Sequence, residues 1–194
     1  MTALVLDRQG WLQPHGLVTH TPSPNFDRRP GGVAPTLLVI HNISLPPGEF
    51  GGTEIPDFFQ NKLNYESHPW LARLRGVTVS AHFLVRRDGA ILQFVSCDDR
   101  AWHAGVSRFN GRERCNDFSI GIELEGTDTE PYTDDQYETL SGLTHALRAR
   151  HTLNAVRGHE HIAPQRKTDP GPSFQWRRYA RESQWLLREL PPTA

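Results

Sequence analysis

The stretch TLLVIHN, residues 36–42, places four consecutive apolar residues directly before a polar pair. A short apolar run with β-branched members predicts a buried strand. The ends of such strands are where α/β sheets carry functional groups, so His41 is a candidate for a role in chemistry. A histidine that only forms a hydrogen bond at the strand end explains the same pattern, and this stretch alone leaves both interpretations open.

Two segments further along the chain also predict strands. VTVSAHFLVRRDGAILQFV, residues 77–95, has two apolar runs around the turn-forming Arg-Asp-Gly and predicts a β-hairpin. SIGIELEG, residues 119–126, alternates its side chains, so that Glu123 and Glu125 share one face of a strand. The opposite, apolar face consists of Ile120, Ile122 and Leu124. A solvated face explains the two glutamates, and a functional acid is the alternative.

Helical spacing occurs twice in the second half of the chain. Thr133 and Gln136 have the spacing of a capping box at the start of TDDQYETLSGLTHALRARH, residues 133–151. The apolar stripe of this helix is Tyr137, Leu140, Leu143 and Leu147. Ser173 is the expected N-cap of a last helix. The expected core face of that helix is Trp176, Tyr179, Ala180, Leu186, Leu187 and Leu190.

These elements, without internal repeats, predict one α/β domain in which a central mixed sheet is flanked by helices. Residues 1–35 are rich in Pro, Gly, Asn and Asp and are expected to form an irregular N-terminal arm packed on the domain. Residues 36–190 are expected to hold the domain itself.

The composition excludes several classes of partner. Lys and Arg total 21 against 22 Asp and Glu, without a basic block, which argues against nucleic-acid binding. The N-terminus lacks the pattern of a signal peptide, and the apolar run at 37–40 is too short to span a membrane. Cys97 and Cys115 do not make a disulfide framework and are expected to be buried free thiols. A cytoplasmic protein is the default expectation, acidic or zwitterionic small substrates remain possible, and a monomer is the simplest state.

The segment GHEHIAPQRKTDPGPSFQW, residues 158–176, holds polar side chains on a backbone whose prolines and glycine forbid a continuous helix. Its candidate functional residues are His159, His161, Lys167 and Asp169. The segment is either a solvated connector or a rigid frame that holds these groups in place.

Together with His41 and Glu123, these residue types suit a metal-dependent hydrolase. Catalytic zinc takes three nitrogen or oxygen ligands, a nearby glutamate can act as general base, and a lysine can stabilise negative charge on oxygen. The spacing is not that of HExxH, and ten histidines offer many triples. His82 and His103 compete with the others on equal terms, so the residues alone indicate only a candidate site.

Several long blocks of the sequence carry a resemblance to a known family. They are LLVIHNISLPPGEFGG (37–52), VSAHFLVRRDG (79–89), RAWHAGVS (100–107), GRERCNDFSIGIELEGTD (111–128) and GHEHIAPQRKTDPGPSF (158–174). Together they resemble the zinc-dependent N-acetylmuramoyl-L-alanine amidases of the type 2 and peptidoglycan-recognition fold. The blocks keep the order of the family and cover most of the chain. The resemblance is closest to the members that act on anhydro-muramyl peptides in the cytoplasm during cell-wall recycling.

The resemblance implies a zinc ion and a set of site residues. These are the metal ligands His41, His159 and Asp169, the catalytic residues Glu123 and Lys167, and the substrate contacts Asn42, Trp102 and Arg114. Glu123 is implied as the general base and Lys167 as the group that stabilises the tetrahedral oxyanion. The implied reaction hydrolyses the amide between the lactyl group of N-acetylmuramic acid, in its 1,6-anhydro form, and L-alanine.

Two positions depart from the pattern or receive no role from it. Thr78 stands where the family leads us to expect an arginine, which leaves one cation fewer for the substrate. His161 is assigned no role.

Three rivals stay open: a non-catalytic muropeptide-binding module of the same fold, a secreted or phage-type amidase acting on polymeric peptidoglycan, and a structural zinc site. Intact ligands and an intact general base favour an enzyme over the binding module.

Overall fold

The computed structural model describes residues 3–192, and these fold around one central sheet. The strands are β1 (Val18–His20), β2 (Phe26–Arg28), β3 (Leu37–Ile43), β4 (Phe83–Val85), β5 (Ile91–Gln93), β6 (Asp99–Ala101), β7 (Arg108–Phe109), β8 (Arg112–Glu113), β9 (Ser119–Glu125) and β10 (Ala155–Gly158). The α-helices are α1 (Glu54–Phe59), α2 (Asp134–Arg150), α3 (His159–Ile162) and α4 (Trp176–Ser183). Short 3-10 turns lie at Pro30–Gly32, Leu71–Leu74, Cys115–Phe118 and Leu187–Glu189.

The central sheet has six strands in the order β1-β5-β4-β9-β3-β10. β10, β3, β9 and β4 run parallel, whereas β5 is antiparallel to β4. The predicted α/β fold with a mixed sheet is therefore confirmed. β3 lies between β9 and β10, and its register places His41 opposite Glu123 on the neighbouring strand. Because residues opposite each other in a sheet share a face, these two side chains project to the same side.

The predicted strands and the hairpin are confirmed. Leu37–Ile40 are fully buried in β3, as the apolar run indicates. β4 and β5 form the antiparallel pair around the turn that contains Asp88 and Gly89. The apolar face of β9 lies in the main hydrophobic core together with residues of α2 and α4. The glutamate face is not solvated, because both carboxylate side chains are buried, Glu123 at 8% exposure and Glu125 at 1%.

Helix α2 begins as predicted, with Thr133 and Gln136 exchanging both hydrogen bonds of a capping box. Its apolar stripe is buried against one face of the sheet, which explains why the helical spacing predicted it correctly. α4 packs beside it, and the hydroxyls of Thr144 and Tyr179 lie 2.7 Å apart between the two helices.

The prediction for the last helix is wrong at both ends. α4 starts at Trp176 with Gln175 as its N-cap, so Ser173 caps nothing. Gln184 has a left-handed backbone with φ of +57°, which ends the helix after Ser183. Leu186 and Leu187 therefore leave the helical face and are 47% and 84% exposed. The other expected core residues, Trp176, Tyr179, Ala180 and Leu190, are buried.

The N-terminal arm is less irregular than expected. Within residues 3–35, β1 pairs with β5 at the edge of the central sheet and β2 pairs with β6. Strands of three residues are too short to show a periodicity, and their partners lie far along the chain, so the sequence gives no local signal for them. Leu12 is buried in the main core. Residues 1 and 2 of the expected arm lie outside the described residues.

Two expectations from the composition concern the cysteines and the possibility of a membrane-spanning helix. Cys97 and Cys115 are buried free thiols, as predicted. None of the helices between residues 3 and 192 combines the length and the apolar character that crossing a bilayer requires.

Candidate metal centre and active-site cleft

Two neighbouring parallel strands bring the first two candidate ligands together. β10 pairs with β3 so that Gly158 lies opposite Ile40. The residue that follows each of these two is a histidine, His41 within β3 and His159 at the start of α3, and the two therefore meet at the carboxyl end of the sheet. The β10 strand is too short to have been predicted from its sequence, although the position of His159 depends on it.

The ligand atoms of His41, His159 and Asp169 form a small triangle. Nδ1 of His41 lies 3.0 Å from Nδ1 of His159 and 3.1 Å from Oδ2 of Asp169. Nδ1 of His159 lies 3.2 Å from the same carboxylate oxygen. Ligands of tetrahedral zinc, at bond lengths of about 2.1 Å, lie about 3.4 Å from one another. Small outward shifts would bring the three atoms to this spacing, so the triangle could hold such an ion.

The charge state of these groups also suits a cation. Burial and the neighbouring His159 lower the pKa of His41 to about 4, so its imidazole is neutral at pH 7. Burial opposes ionisation of Asp169, but its contacts with His159 and His41 outweigh this and lower the pKa of the carboxyl group. Neutral imidazole and ionised carboxylate are the forms that bind a metal. Three protein ligands are typical of catalytic zinc, whereas structural zinc usually has four.

Glu123 lies beside the triangle without a partner of its own. Its Oε2 is buried and accepts no hydrogen bond from any described residue. Burial, followed by repulsion from Asp169, raises the pKa of Glu123 well above its usual range, and Lys167 opposes the shift. A buried carboxyl group without hydrogen bonds is costly for the fold. It is also ready to take up a proton.

Glu125, two residues further along the same strand, is satisfied by its surroundings. Its Oε1 accepts hydrogen bonds from the backbone of Gly51 at 2.7 Å and from the guanidinium of Arg86 at 3.1 Å. Its Oε2 accepts the backbone N–H of Arg87 at 3.1 Å. Glu125 therefore holds a neighbouring loop and a turn in place, and only Glu123 has an oxygen left for chemistry.

Both ends of the segment after β10 are buried and hydrogen-bonded, as a frame requires, whereas residues 164–168 between them are exposed. The backbone oxygen of Pro170 accepts hydrogen bonds from Tyr132 at 2.8 Å and from the side chain of Asn42 at 3.2 Å. Glu160 N–H donates to the backbone of Asp169 at 3.0 Å. The expectation of purely irregular backbone is wrong for residues 159–162, which form the single turn α3.

His161 belongs to this frame and not to the ligand triangle. Its Nδ1 accepts the backbone N–H of Gly158 at 3.0 Å, and its ring packs edge-on against Trp176. These contacts fix the connection between β10 and α3. They explain the residue without a direct role in chemistry.

The triangle lies at the base of a cleft of about 740 Å³. Among the predicted site residues, the cleft is lined by His41, Asn42, Trp102, Glu123, His159, Lys167 and Asp169. Lys167 is exposed on the rim, where its ammonium group can reach a bound molecule. A volume in this range is typical of a small-molecule site.

Arg114 and Thr78 stand apart from the cleft wall. Arg114 does not line the cleft, and its Nε lies 3.3 Å from a carboxylate oxygen of Asp117. Val77 and Val79 line the cleft while Thr78 between them does not. A substrate contact by Arg114 stays a prediction.

Sequence reasoning did not assign roles to two residues that support the centre. His103 is not part of the triangle, but its Nδ1 lies 2.9 Å from Nε2 of His41. Gly121 lies under the His103 ring, where a Cβ atom would be 2.4 Å from Cγ of the imidazole. An isolated glycine inside an apolar strand is a signal for such a close approach. His82 bonds to the backbone of Gly121 and Asp99 instead.

Comparison with known sequences agrees with this geometry. A family model described as N-acetylmuramoyl-L-alanine amidase matches residues 31–172. The 1,6-anhydro-N-acetylmuramyl-L-alanine amidase AmpD of Citrobacter freundii is 56% identical over 178 residues, which are 91% of this chain and 93% of the relative.

Comparison with solved structures gives the same fold. A crystal structure of a selenomethionine derivative of AmpD superposes with a TM-score of 0.88 at 54% identity, covering 92% of this chain and 98% of that one. The amidase AmiD of Escherichia coli, solved in complex with the substrate anhydro-N-acetylmuramic acid-L-Ala-D-γ-Glu-L-Lys, has a TM-score of 0.57 at 28% identity. That match covers 94% of this chain and 66% of AmiD.

Proposed function

Because this chain belongs to the N-acetylmuramoyl-L-alanine amidase family, we propose that it hydrolyses the amide between the lactyl group of 1,6-anhydro-N-acetylmuramic acid and L-alanine. The observation that carries the proposal is one cleft that combines the ligand triangle with the unpartnered Glu123 and with Lys167. The similarity to AmpD and the substrate in the AmiD complex support this choice of substrate. The proposal includes zinc dependence and a role in muropeptide recycling.

The donor set fits zinc, with His41, His159 and Asp169 as the residues that would hold it. When bound, zinc supplies a Lewis acid that polarises the scissile carbonyl and lowers the pKa of water. An ion held by two imidazoles and one carboxylate would keep a net positive charge. That charge would offset the repulsion between Asp169 and Glu123 and favour an ionised Glu123.

Glu123 is proposed to move the proton. Its free oxygen accepts a proton from the water whose oxygen forms the new bond to the lactyl carbonyl carbon. When the C–N bond breaks, the same carboxyl group returns that proton to the nitrogen of L-alanine. The products are a lactyl carboxylate on the sugar and a peptide whose new terminal amine also takes up the second proton of the water.

Lys167 is proposed to stabilise the oxyanion that forms while the carbonyl carbon is tetrahedral. Its exposed position on the rim allows it to approach the substrate without the cost of burying an unpaired charge. The backbone around it is held by a hydrogen bond from the Lys167 N–H to the oxygen of Ala163 at 3.1 Å.

Substitution of Lys167 by methionine tests this role. The variant keeps the length of the side chain and removes the charge, so we expect kcat to fall about 10²–10³-fold, as when one oxyanion-hole donor is lost. Zinc affinity is expected to stay unchanged because Lys167 does not belong to the ligand triangle. Steady-state kinetics at saturating substrate give the first quantity, and metal titration gives the second.

The chain offers a matched control for this substitution. Its other lysine, Lys62, is exposed and donates to the side chain of Gln60 away from the cleft. Lys62→Met removes the same charge and should leave kcat at the wild-type value. A Lys167→Met enzyme that is as active as the Lys62→Met enzyme would remove Lys167 from the mechanism.

The function itself is tested by incubating the purified protein with an anhydro-muramyl tripeptide and identifying the products by mass spectrometry. We expect free tripeptide and anhydro-muramic acid, loss of both with a chelator, and recovery on addition of zinc. Chelator-resistant turnover would contradict the zinc dependence. Tight binding of an intact ligand in the presence of zinc would favour the binding module. Cleavage of polymeric peptidoglycan in preference to the tripeptide would favour the wall-degrading amidase.

The cellular location and the oligomeric state are inferred from the sequence and the relatives only. A cytoplasmic location and a monomeric protein remain predictions. Size-exclusion chromatography with light scattering is the direct measurement of the second.

A further inference from the structure

The ring nitrogens of His41 and His159 that face away from the ligand triangle both contact one short segment of the chain. Nε2 of His159 lies 3.1 Å from the backbone oxygen of Ala104. Nε2 of His41 lies 2.9 Å from Nδ1 of His103. His103 and Ala104 are consecutive, so one segment contacts the outer edge of both imidazoles. All four residues are buried, and water therefore does not compete for these contacts.

The contact of His159 suits the tautomer that a metal ligand needs. A carbonyl oxygen can only accept, so Nε2 of His159 donates to Ala104. This leaves Nδ1 to offer its lone pair to an ion, whereas without an ion the Asp169 carboxylate, 3.2 Å away, competes for a proton on Nδ1. Arg166 lies 3.4 Å from the same nitrogen, but its Nη2 already donates to the backbone oxygens of Ala104 at 3.0 Å and Val106 at 2.6 Å.

The contact of His41 is different, because its partner is a second imidazole that can donate or accept. On the far side of this ring, Nε2 of His103 lies 3.2 Å from Oγ of Ser119. When His103 donates to Ser119, its Nδ1 accepts from His41, and the lone pair of His41 faces the triangle. The opposite order puts a proton on Nδ1 of His41, where it blocks an ion. The tautomer of His103 thus decides whether His41 can be a ligand.

The segment is itself held from two sides. Oδ1 of Asn116 accepts the backbone N–H of His103 at 3.1 Å and that of Ala104 at 2.7 Å. Behind it, the His103 ring rests on Gly121, where no side chain is tolerated. Asn116 lies in the turn directly before β9, the strand that carries Glu123.

We propose that His103 and Ala104 are positioning residues that set the tautomers of His41 and His159, and that Asn116 holds them in place. Outer partners of metal-ligating histidines are usually carboxylates, carbonyls or water. An imidazole in this place needs an acceptor on its far side, and the hydroxyl of Ser119, which can donate or accept, can fill that place. The inference rests on the zinc site of the proposed function.

The test compares zinc affinities by competition with a chromophoric chelator. His103→Ala removes the acceptor for His41, so we expect the zinc dissociation constant to rise about 10–100-fold, as for other outer partners. His103→Asn places an amide oxygen near the position of Nδ1, where it can accept from His41. We expect this variant to recover most of the lost affinity, which a general loss of packing would not do.

A spectroscopic measurement on the zinc-saturated protein separates positioning from stability. ¹H–¹⁵N correlation spectra of the imidazoles are expected to show an Nε2–H of His41 that is protected from exchange with solvent in the wild type and in His103→Asn, and to lose that protection in His103→Ala. His20→Ala is the control, because this imidazole contacts the backbone oxygen of Leu12 and the ring of Trp11 but neither ligand and not His103. It should lower the melting temperature and leave zinc affinity unchanged.

The outcomes of these experiments separate a failure of the inference from a failure of the proposed function. A His103→Ala protein with wild-type zinc affinity and an unchanged exchange protection of the His41 Nε2–H overturns the inference. If this variant does not fold, Asn116→Ala takes its place, since it removes the anchor without touching either ligand and should weaken zinc binding. A wild-type chain that binds no zinc contradicts the proposed function instead, and the same comparison of variants made with cadmium then decides the inference.

Discussion

Substitution of Glu123 by glutamine is expected to lower kcat about 10²–10⁴-fold, the range that general acid–base catalysis contributes. The amide keeps the volume of the carboxyl group but cannot accept the proton of the attacking water. Zinc affinity should be retained, because Glu123 is not part of the ligand triangle. Thermal stability should not fall, since the substitution removes a buried carboxyl group whose Oε2 has no hydrogen bond. Kinetics, metal titration and calorimetry on one preparation check all three.

Glu125→Gln on the same strand is the matched control, with the opposite expected result. Its carboxylate is hydrogen-bonded to Arg86 and to two backbone amides, so the loss of charge should cost about 1–3 kcal/mol of unfolding free energy. Turnover should remain close to that of the wild type. A Glu123→Gln enzyme as active as Glu125→Gln would exclude Glu123 as the general base.

Substitution of Asp169 by alanine is expected to weaken zinc binding by more than about 100-fold, the upper end of the loss seen when only an outer partner is removed. The variant loses one of three ligand atoms and the only negative charge of the triangle. A ligand that binds only the folded state stabilises it in proportion to the logarithm of its concentration over the dissociation constant. The rise in melting temperature on addition of zinc should therefore disappear, together with turnover.

Asp128→Asn controls for the general loss of a carboxylate from the cleft. Asp128 also lines the cleft, but its Oδ1 accepts from Asn42 and lies outside the triangle. This variant should still be stabilised by zinc. An Asp169→Ala protein that takes up zinc as tightly as Asp128→Asn would remove Asp169 from the ligand set.

The elements that could be predicted from the sequence are those whose signal is local. β3 has a continuous apolar run, and α2 has a capping box and a stripe at helical spacing. β1 and β10 could not be predicted, because strands of three and four residues exist only through pairing with β5 and β3. The end of α4 depends on one left-handed residue, Gln184, for which glutamine gives no warning.

In the candidate site, too, some features could be predicted from the sequence and others could not. The resemblance suggested His41, His159 and Asp169, and the structure brings their ligand atoms within hydrogen-bonding distance of one another. The residues alone could not choose them over His82 and His103, because the choice depends on which rings reach the carboxyl ends of β3 and β10. The burial of Glu123 was equally hidden, since alternation along a strand identifies a face but not what covers it.

The pairing of β3 with β10 has a consequence for how the protein is made. The two histidine ligands are separated by 118 residues, and His41 and Asp169 by 128. Contacts this distant along the chain form late, because closing the intervening loop costs entropy before any contact repays it. A nascent chain still on the ribosome before β10 has been translated carries His41 without its partners and has no centre to load. If the proposed zinc site is correct, metal uptake has to wait until β10 and the segment that carries Asp169 have been translated.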